Sequence, residues 1–344
     1  MHSETTVCTE EQLEDILSRP TTADIEAVRE LSGDLILLGA GGKMGPSLAR
    51  RAARAISAAG TAHRVIAVAR FSTPGVEQQL QSAGVRTVSA DLLRPGALDA
   101  LPDAPNVIYM AARKFGTIGD QPATWAVNAY LPGLVAQRYA NSRIVAWSTG
   151  NVYPLTTVAS GGATEQTPVA PIGEYAQSAL ARERIFEYFS ALNAAPLTIL
   201  RLNYAVELRY GVLADIGRKV FQGQPVDVTM PALNCIWQGD ANSVCLRAFA
   251  HCRTPPFVLN VTGAETHTVR AIAQRFGRRF NVDPLVTGTE SETALLSNAS
   301  ECERLFGAPQ IGFDQAFEWI ADWLSRGGTS LSKPTHFEVR DGAF

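Results

Sequence analysis

Asp34-Leu35-Ile36-Leu37-Leu38-Gly39-Ala40-Gly41-Gly42-Lys43-Met44-Gly45 is a short apolar run that ends on glycines. A run so brief and so uniformly apolar predicts a strand buried on both faces, as in a parallel sheet. Alanine- and arginine-rich sequence follows over 46–59 and predicts a helix. Strand, glycine loop and helix in that order have a physical use. Gly39 permits a tight turn, Gly42 lets a pyrophosphate approach the backbone, and Gly45 lets helix and strand pack closely. The helix then turns free N–H groups and the positive end of its dipole toward the phosphates. Lys43 and Met44 share the loop. The context matches what a dinucleotide site requires.

The alternation continues outward. Residues 65–69, 86–90, 106–110, 143–147 and 197–201 are further short runs of strand character. Helical sequence is clearest at 122–141 and 174–193. Six strands joined by crossovers predict an α/β fold, a Rossmann-type doubly wound parallel sheet. The rhythm weakens after residue 205, where Pro225, Pro231, Pro255 and Pro256 punctuate short segments. Helices are expected there at 240–252, 268–280 and 313–326, in a smaller mixed α/β region over the carboxyl ends of the strands. Residues 9–31 predict one or two short helices, with Thr9 as the cap and Glu11 and Gln12 in the first turn. The expected organisation is a helical extension over 1–31, a nucleotide-binding domain over 32–205, a substrate-binding region over 206–327 and an extended polar tail over 328–344.

Composition narrows the function. The chain has 344 residues, 46% hydrophobic and 18% charged, with a net charge of -3. That suits a packed core and argues against disorder. No basic face is implied, so nucleic acid is not an expected partner. No apolar run approaches the ~20 residues that span a bilayer, and the acidic N-terminal stretch lacks a signal peptide's apolar run. A cytoplasmic protein with a small-molecule substrate and no membrane partner is expected. Cys8, Cys235, Cys245, Cys252 and Cys302 form no CxxC pair and predict reduced, mostly buried thiols. The five histidines are dispersed, so no metal site is expected. Lysine is scarce: Lys43, Lys114, Lys219 and Lys333 are the only four among 30 basic residues.

The spacing Gly-x-x-Gly-x-x-Gly resembles that of the short-chain dehydrogenase/reductase superfamily, in particular its extended branch of NAD(P)-dependent epimerases and dehydratases. Other landmarks resemble that branch in order and distance. They are Asp91-Leu92, Met110-Ala111-Ala112, Asn128, Ser148-Thr149-Gly150-Asn151-Val152-Tyr153, Tyr175 and Leu200-Arg201-Leu202-Asn203-Tyr204. The resemblance runs from about 33 to 326. It implies that Gly39, Gly42, Lys43, Met44, Gly45, Asp91, Leu92, Ala111, Ala112 and Asn128 border a nicotinamide cofactor. Arg70 ends the second strand, where an acidic residue would hold a ribose 2′-hydroxyl. With Ser72 it suits a 2′-phosphate, so NADP is expected over NAD.

The resemblance also implies that Thr149 holds the reacting oxygen while Tyr175 gives or takes its proton. The lysine that such proteins carry four residues after the tyrosine falls on Ala179 here. Without that cation Tyr175 should stay near ~10, poor for proton abstraction at neutral pH. Arg182 lies seven residues on, near the same helix face. Its neighbours Glu183 and Glu187 suggest a surface charge instead. Lys114, just beyond the Ala-Ala turn, is the replacement expected to share the catalytic work. The function implied is an epimerase, dehydratase or reductase acting on a sugar or sugar-acid derivative. The alternative is a non-catalytic NAD(P)-binding sensor of the same fold. The resemblance further implies a homodimer through the helices at 122–141 and 175–193.

Overall fold

The computed structural model describes residues 6–114 and 119–343. Two short helices come first, α1 (Glu10–Ser18) and α2 (Thr22–Arg29). Thr9 caps α1 and Gln12 returns the bond; Thr21 and Asp24 repeat the arrangement at α2. The quoted stretch then forms β1 (Leu35–Leu38) and runs into α3 (Gly45–Ala59). There follow β2 (Val65–Ala69), α4 (Val76–Ser82), β3 (Arg86–Ser89) and β4 (Asn106–Tyr109). A helical stretch comes next, made of α5 (Gln121–Trp125), a π-helical turn (Ala126–Tyr130) and α6 (Leu131–Arg138). After it come β5 (Arg143–Thr149), α7 (Gly173–Asn193), β6 (Leu197–Leu202) and, further on, β7 (Phe257–Val261).

These seven strands make one parallel sheet in the order β3-β2-β1-β4-β5-β6-β7. All four residues of β1 are buried. Leu35 and Leu37 pack with Leu48 and Ala52 of α3, whereas Ile36 and Leu38 pack on the opposite face with Val135 and Phe186. The strand is therefore apolar on every residue because both faces are covered. Each such side chain contributes about 1.5–3 kcal/mol on burial.

The remaining helices are α8 (Val212–Phe221), α9 (Gln238–Arg247), α10 (Val269–Phe280), α11 (Ser300–Phe306) and α12 (Phe313–Ser325). Ile216, Phe276, Phe317 and Leu324 share a second core. A leucine tip and a phenylalanine edge press on Gly217 of α8, which leaves no room there for a β-carbon.

Two differences from the sequence reading have physical reasons. The sheet has seven strands rather than six; the seventh follows Pro255-Pro256, and Asn260 interrupts its apolar run. The single helix expected at 122–141 contains a π turn. The tail, which has neither helix nor strand over 328–343, is packed onto the protein. Phe337 is buried in the second core, and the backbone N–H and hydroxyl of Thr335 both donate to Asp215 at 2.7 Å.

The N-terminal helices also belong to the fold. Leu13 and Leu17 enter the second core, and Val28 and Leu31 enter the first. Asp24 sits at the join, fully buried. Its carboxylate takes two bonds from Arg51 of α3, at 2.6 and 2.8 Å, and one from Ser243 of α9 at 2.5 Å. Removing one partner of a buried pair strands the other charge. Asp24→Ala is therefore expected to destabilise the protein by about 3–5 kcal/mol, read as a lower urea midpoint. A midpoint equal to wild type would show that the helices are loosely attached.

Candidate active site

Strand order reverses between β1 and β4, so the loops that leave their carboxyl ends diverge and open a crevice. The three glycines of the loop do different things there. Gly39 has φ of 94°, and a β-carbon on it would lie 2.5 Å from the Ala111 nitrogen. One on Gly45 would lie 2.3 Å from the Ala40 carbonyl oxygen. Gly42 is exposed, with its nearest neighbour at 3.8 Å. Two positions are thus closed by backbone packing, and the third leaves a cradle free of side chains at a helix N-terminus. That combination fits a pyrophosphate.

Around the crevice, Arg70 is exposed just beyond β2, and Ala111 lies beside Gly39 at the end of β4, with Ala112 exposed next to it. Asp91 is exposed, its carboxylate accepting the Leu93 N–H at 3.1 Å. Leu92 is buried in the sheet's second layer, so its side chain faces the core and its backbone alone can border a ligand. Asn128 lies in the π turn, and its amide is fully used within the protein. The oxygen accepts from the Arg113 N–H and from Arg182, both at 2.9 Å; the nitrogen donates to the Arg113 carbonyl at 2.8 Å and to Ser178 at 3.0 Å. It bears on a ligand through the loop it holds.

Thr149 ends β5, with its hydroxyl accepting from the backbone and side chain of Asn151. Tyr175, in the first turn of α7, is buried, with the Thr149 side chain near enough to act on its phenol. The Lys114 Nζ lies 5.6 Å from the centre of the Tyr175 ring. The structure therefore brings together Thr149, Tyr175 and Lys114. It also corrects the surface reading of Arg182, which is 3% exposed. Its guanidinium donates to the Trp147 carbonyl and to Asn128, both at 2.9 Å, and its Nε has no hydrogen-bond partner among the described residues. The neighbouring acids do not hold it: Glu183 is bonded to Arg201 at 2.6 Å, and Glu187 to Arg184. Ala179 is fully buried against Val152 and Tyr153, so apolar packing has filled that place.

Burial pushes the Tyr175 phenol up, while the Arg182 charge and the Thr149 hydroxyl pull it down. Burial lowers Lys114 to about 8. Burial first, then Lys114 and Lys333, lower Lys43 to about 7. Sequence reasoning missed the buried Ser148–Glu183–Arg201–Tyr153 chain of hydrogen bonds. Its one signal was an arginine inside an otherwise apolar strand. A separate cavity of about 810 Å³ lies between α2, α9 and the loop before α12, and is lined by none of the expected site residues.

The profile of the NAD dependent epimerase/dehydratase family matches residues 35–210. The chain belongs to that family. The match takes in the glycine loop, Thr149, Tyr175 and Arg182, and stops just before α8. No curated protein sequence matches significantly. Among solved structures, a variant UDP-glucuronic acid 4-epimerase from Bacillus cereus superposes with a TM-score of 0.73 at 16% identity, over 85% of this chain and 99% of that one. A UDP-glucose 4-epimerase from Thermotoga maritima does so with 0.70 at 14%, over 86% and 99%. An epimerase from Methanothermobacter thermautotrophicus gives 0.70 at 17%, over 89% and 96%. At such identity these likenesses establish the fold.

The open space at Gly42 yields a direct test. Gly42→Asp places a carboxylate in the cradle without touching packed backbone. It is expected to abolish NAD(P)H binding in a fluorescence titration while the thermal midpoint stays near wild type. Unchanged affinity would mean that the loop is a structural turn only.

Proposed function

We propose that this family member is an NAD(P)-dependent epimerase, dehydratase or reductase that acts on a sugar or sugar-acid derivative. The observation that carries this reading is the buried Tyr175 phenol, on which the Thr149 hydroxyl acts, with the Lys114 Nζ 5.6 Å from the centre of its ring at the crevice. Glycine loop, Arg70 and the Ala111-Ala112 turn would hold the cofactor, whose nicotinamide supplies or accepts the hydride when bound. Arg70 stands exposed at the strand end with no acidic residue beside it in sequence, which supports NADP over NAD. Tenfold tighter binding of NADH than of NADPH would overturn that preference.

The chain's own residues divide the proton work. Thr149 orients the substrate oxygen. Tyr175 keeps its proton at neutral pH because burial raises it, which suits a donor to that oxygen. Lys114, lowered to about 8, is mostly an ammonium at neutral pH and can stabilise negative charge growing there. Arg182 sits behind the tyrosine as a permanent charge and limits how far burial can raise it.

The signs fix a pH test. Lys114 loses its charge as pH rises through about 8, so turnover in the reductive direction should fall there. Lys114→Met should lack that fall, and both it and Tyr175→Phe should lose turnover by more than about a hundredfold. Cofactor affinity should move little in either. If neither variant changes turnover, the assignment is wrong. Tight, specific cofactor binding without turnover on any sugar or sugar acid would favour the sensor, as the filled place at Ala179 would allow.

We also propose a homodimer through the helical stretch 121–138 and α7. Tyr130, Tyr188 and Leu192 are 62%, 62% and 63% exposed on these elements, an apolar surface that a second copy could cover. Light scattering at micromolar concentration should give twice the chain mass; a monomer would remove the idea.

A further inference from the structure

The cavity of about 810 Å³ takes no part in the site described above. Its walls come from three places. Ile16 stands on α1 and Pro20 on the turn before α2; Trp237 and Val244 come from the start and the middle of α9; Ile311 and Trp319 come from the loop before α12 and from α12 itself. The indole rings of Trp237 and Trp319 meet edge to face, 5.6 Å between centres. Pockets for small molecules run to about 300–1,000 Å³, so the space is of that order. Of all the lining residues only Arg51 falls within 35–210, the stretch that matches the family. The N-terminal helices that close one side precede that stretch, so the family's shared sequence does not account for the cavity.

We propose that this cavity is a second binding site, separate from the crevice, for a small, uncharged, largely apolar molecule that presents a carbonyl oxygen. Two lining groups call for that oxygen. Thr262, which follows β7, and Trp319 are 1% and 3% exposed, yet the Thr262 hydroxyl and the Trp319 indole N–H have no hydrogen-bond partner among the described residues. An indole N–H can only donate, a hydroxyl can donate as well, and a buried donor left unpaired is costly. An acceptor placed against either one recovers that cost. The charged groups of the lining have other partners. Arg51 is bound to the buried Asp24 at 2.6 Å, Arg19 is paired with Asp15, and Asp240 accepts the Ile311 N–H at 3.0 Å. Arg247 donates to the Phe306 carbonyl at 3.0 Å, and Glu303 offsets its sign, so the lining favours neither an anion nor a cation. The rest of the ligand is apolar because the walls are: two indoles, with Ile236, Val244 and Ile311.

The test is nuclear magnetic resonance of the full chain with isotope-labelled indole nitrogens. The chain has five tryptophans, and Trp237→Phe and Trp319→Phe each identify one indole N–H signal by its loss. Acetophenone, an apolar ring with one carbonyl, should move both signals in wild type until they saturate. Ethylbenzene, much the same body without the oxygen, should bind at least about tenfold more weakly, the difference that one hydrogen bond makes. Thr262→Val and Trp319→Phe each remove one donor, and the gap between the two probes should narrow several-fold in the variant whose donor holds the oxygen, read on the Trp237 signal. Thr262→Val keeps the shape of the side chain and removes only an unpartnered hydroxyl, so it should fold as wild type does. Benzoate should bind more weakly than acetophenone, and saturation with NADPH should leave acetophenone affinity unchanged. The inference is overturned if neither signal moves, if ethylbenzene binds as well as acetophenone, or if the gap survives in both variants. Tighter binding of benzoate overturns the uncharged ligand, and displacement of acetophenone by NADPH overturns the separate site.

Discussion

Gly39 lies against the backbone of Ala111 with no space for a β-carbon, and the rest of the site is placed by that contact. It brings the loops after β1 and β4 side by side at the strand-order reversal and so opens the crevice. From Ala111 the chain needs only three more residues to reach Lys114. The other end of that short loop is gripped by Asn128, which bonds both the N–H and the carbonyl of Arg113. A substitution at Gly39 would therefore be felt at Lys114, although the two never touch. The family's glycine pattern is usually read as a phosphate cradle. Here two of its three glycines are explained by backbone meeting backbone, and only Gly42 by space for a ligand.

Behind the crevice the interior is polar, and its side chains tie α7 to the elements around it. Asn128 joins α7 to the loop, Arg182 joins α7 to β5, and Glu183 joins α7 to β6 through Arg201. Buried ion pairs of this kind add little net stability, because desolvation offsets attraction. Their worth is geometric: they allow one seating of α7 on the sheet, and hence one position for Tyr175. Tyr175 accordingly feels a cation from its own helix, Arg182, which is held in place by the Trp147 carbonyl and Asn128.

Much of this was readable in advance. Strands covered on both faces are apolar on successive residues, and β1 and β2 carry that signal in full, whereas the edge strand β3, Arg86-Thr87-Val88-Ser89, is partly exposed. β7 lacks the full signal, because Asn260 must face inward to bond Tyr153 and the Ala163 carbonyl, which breaks the run. The glycine loop was read from its strand-loop-helix context, and Thr149 and Tyr175 were singled out by the resemblance to the family. Arg182 was misjudged because two acids stand close to it in sequence, while in the fold each of them has another arginine. The packing of the tail went unread because its polar composition hides Phe337, and because Thr335 and Arg340 find their partners more than 40 residues away. Pairings across such distances leave no local trace.

The π turn at Ala126–Tyr130 bears on how relatives should be compared. Such a turn accommodates one residue more than an α-helix of the same height. Losing one residue here would let α5 and α6 fuse into a regular helix with both flanks left where they are, so the sheet and its layers would hardly register the change. Asn128, however, would lose its inward aim and release the Arg113 loop. A one-residue gap in an alignment usually marks drift in a surface connection. Over 126–130 the same gap would separate sequences that keep this site from those that keep only its scaffold.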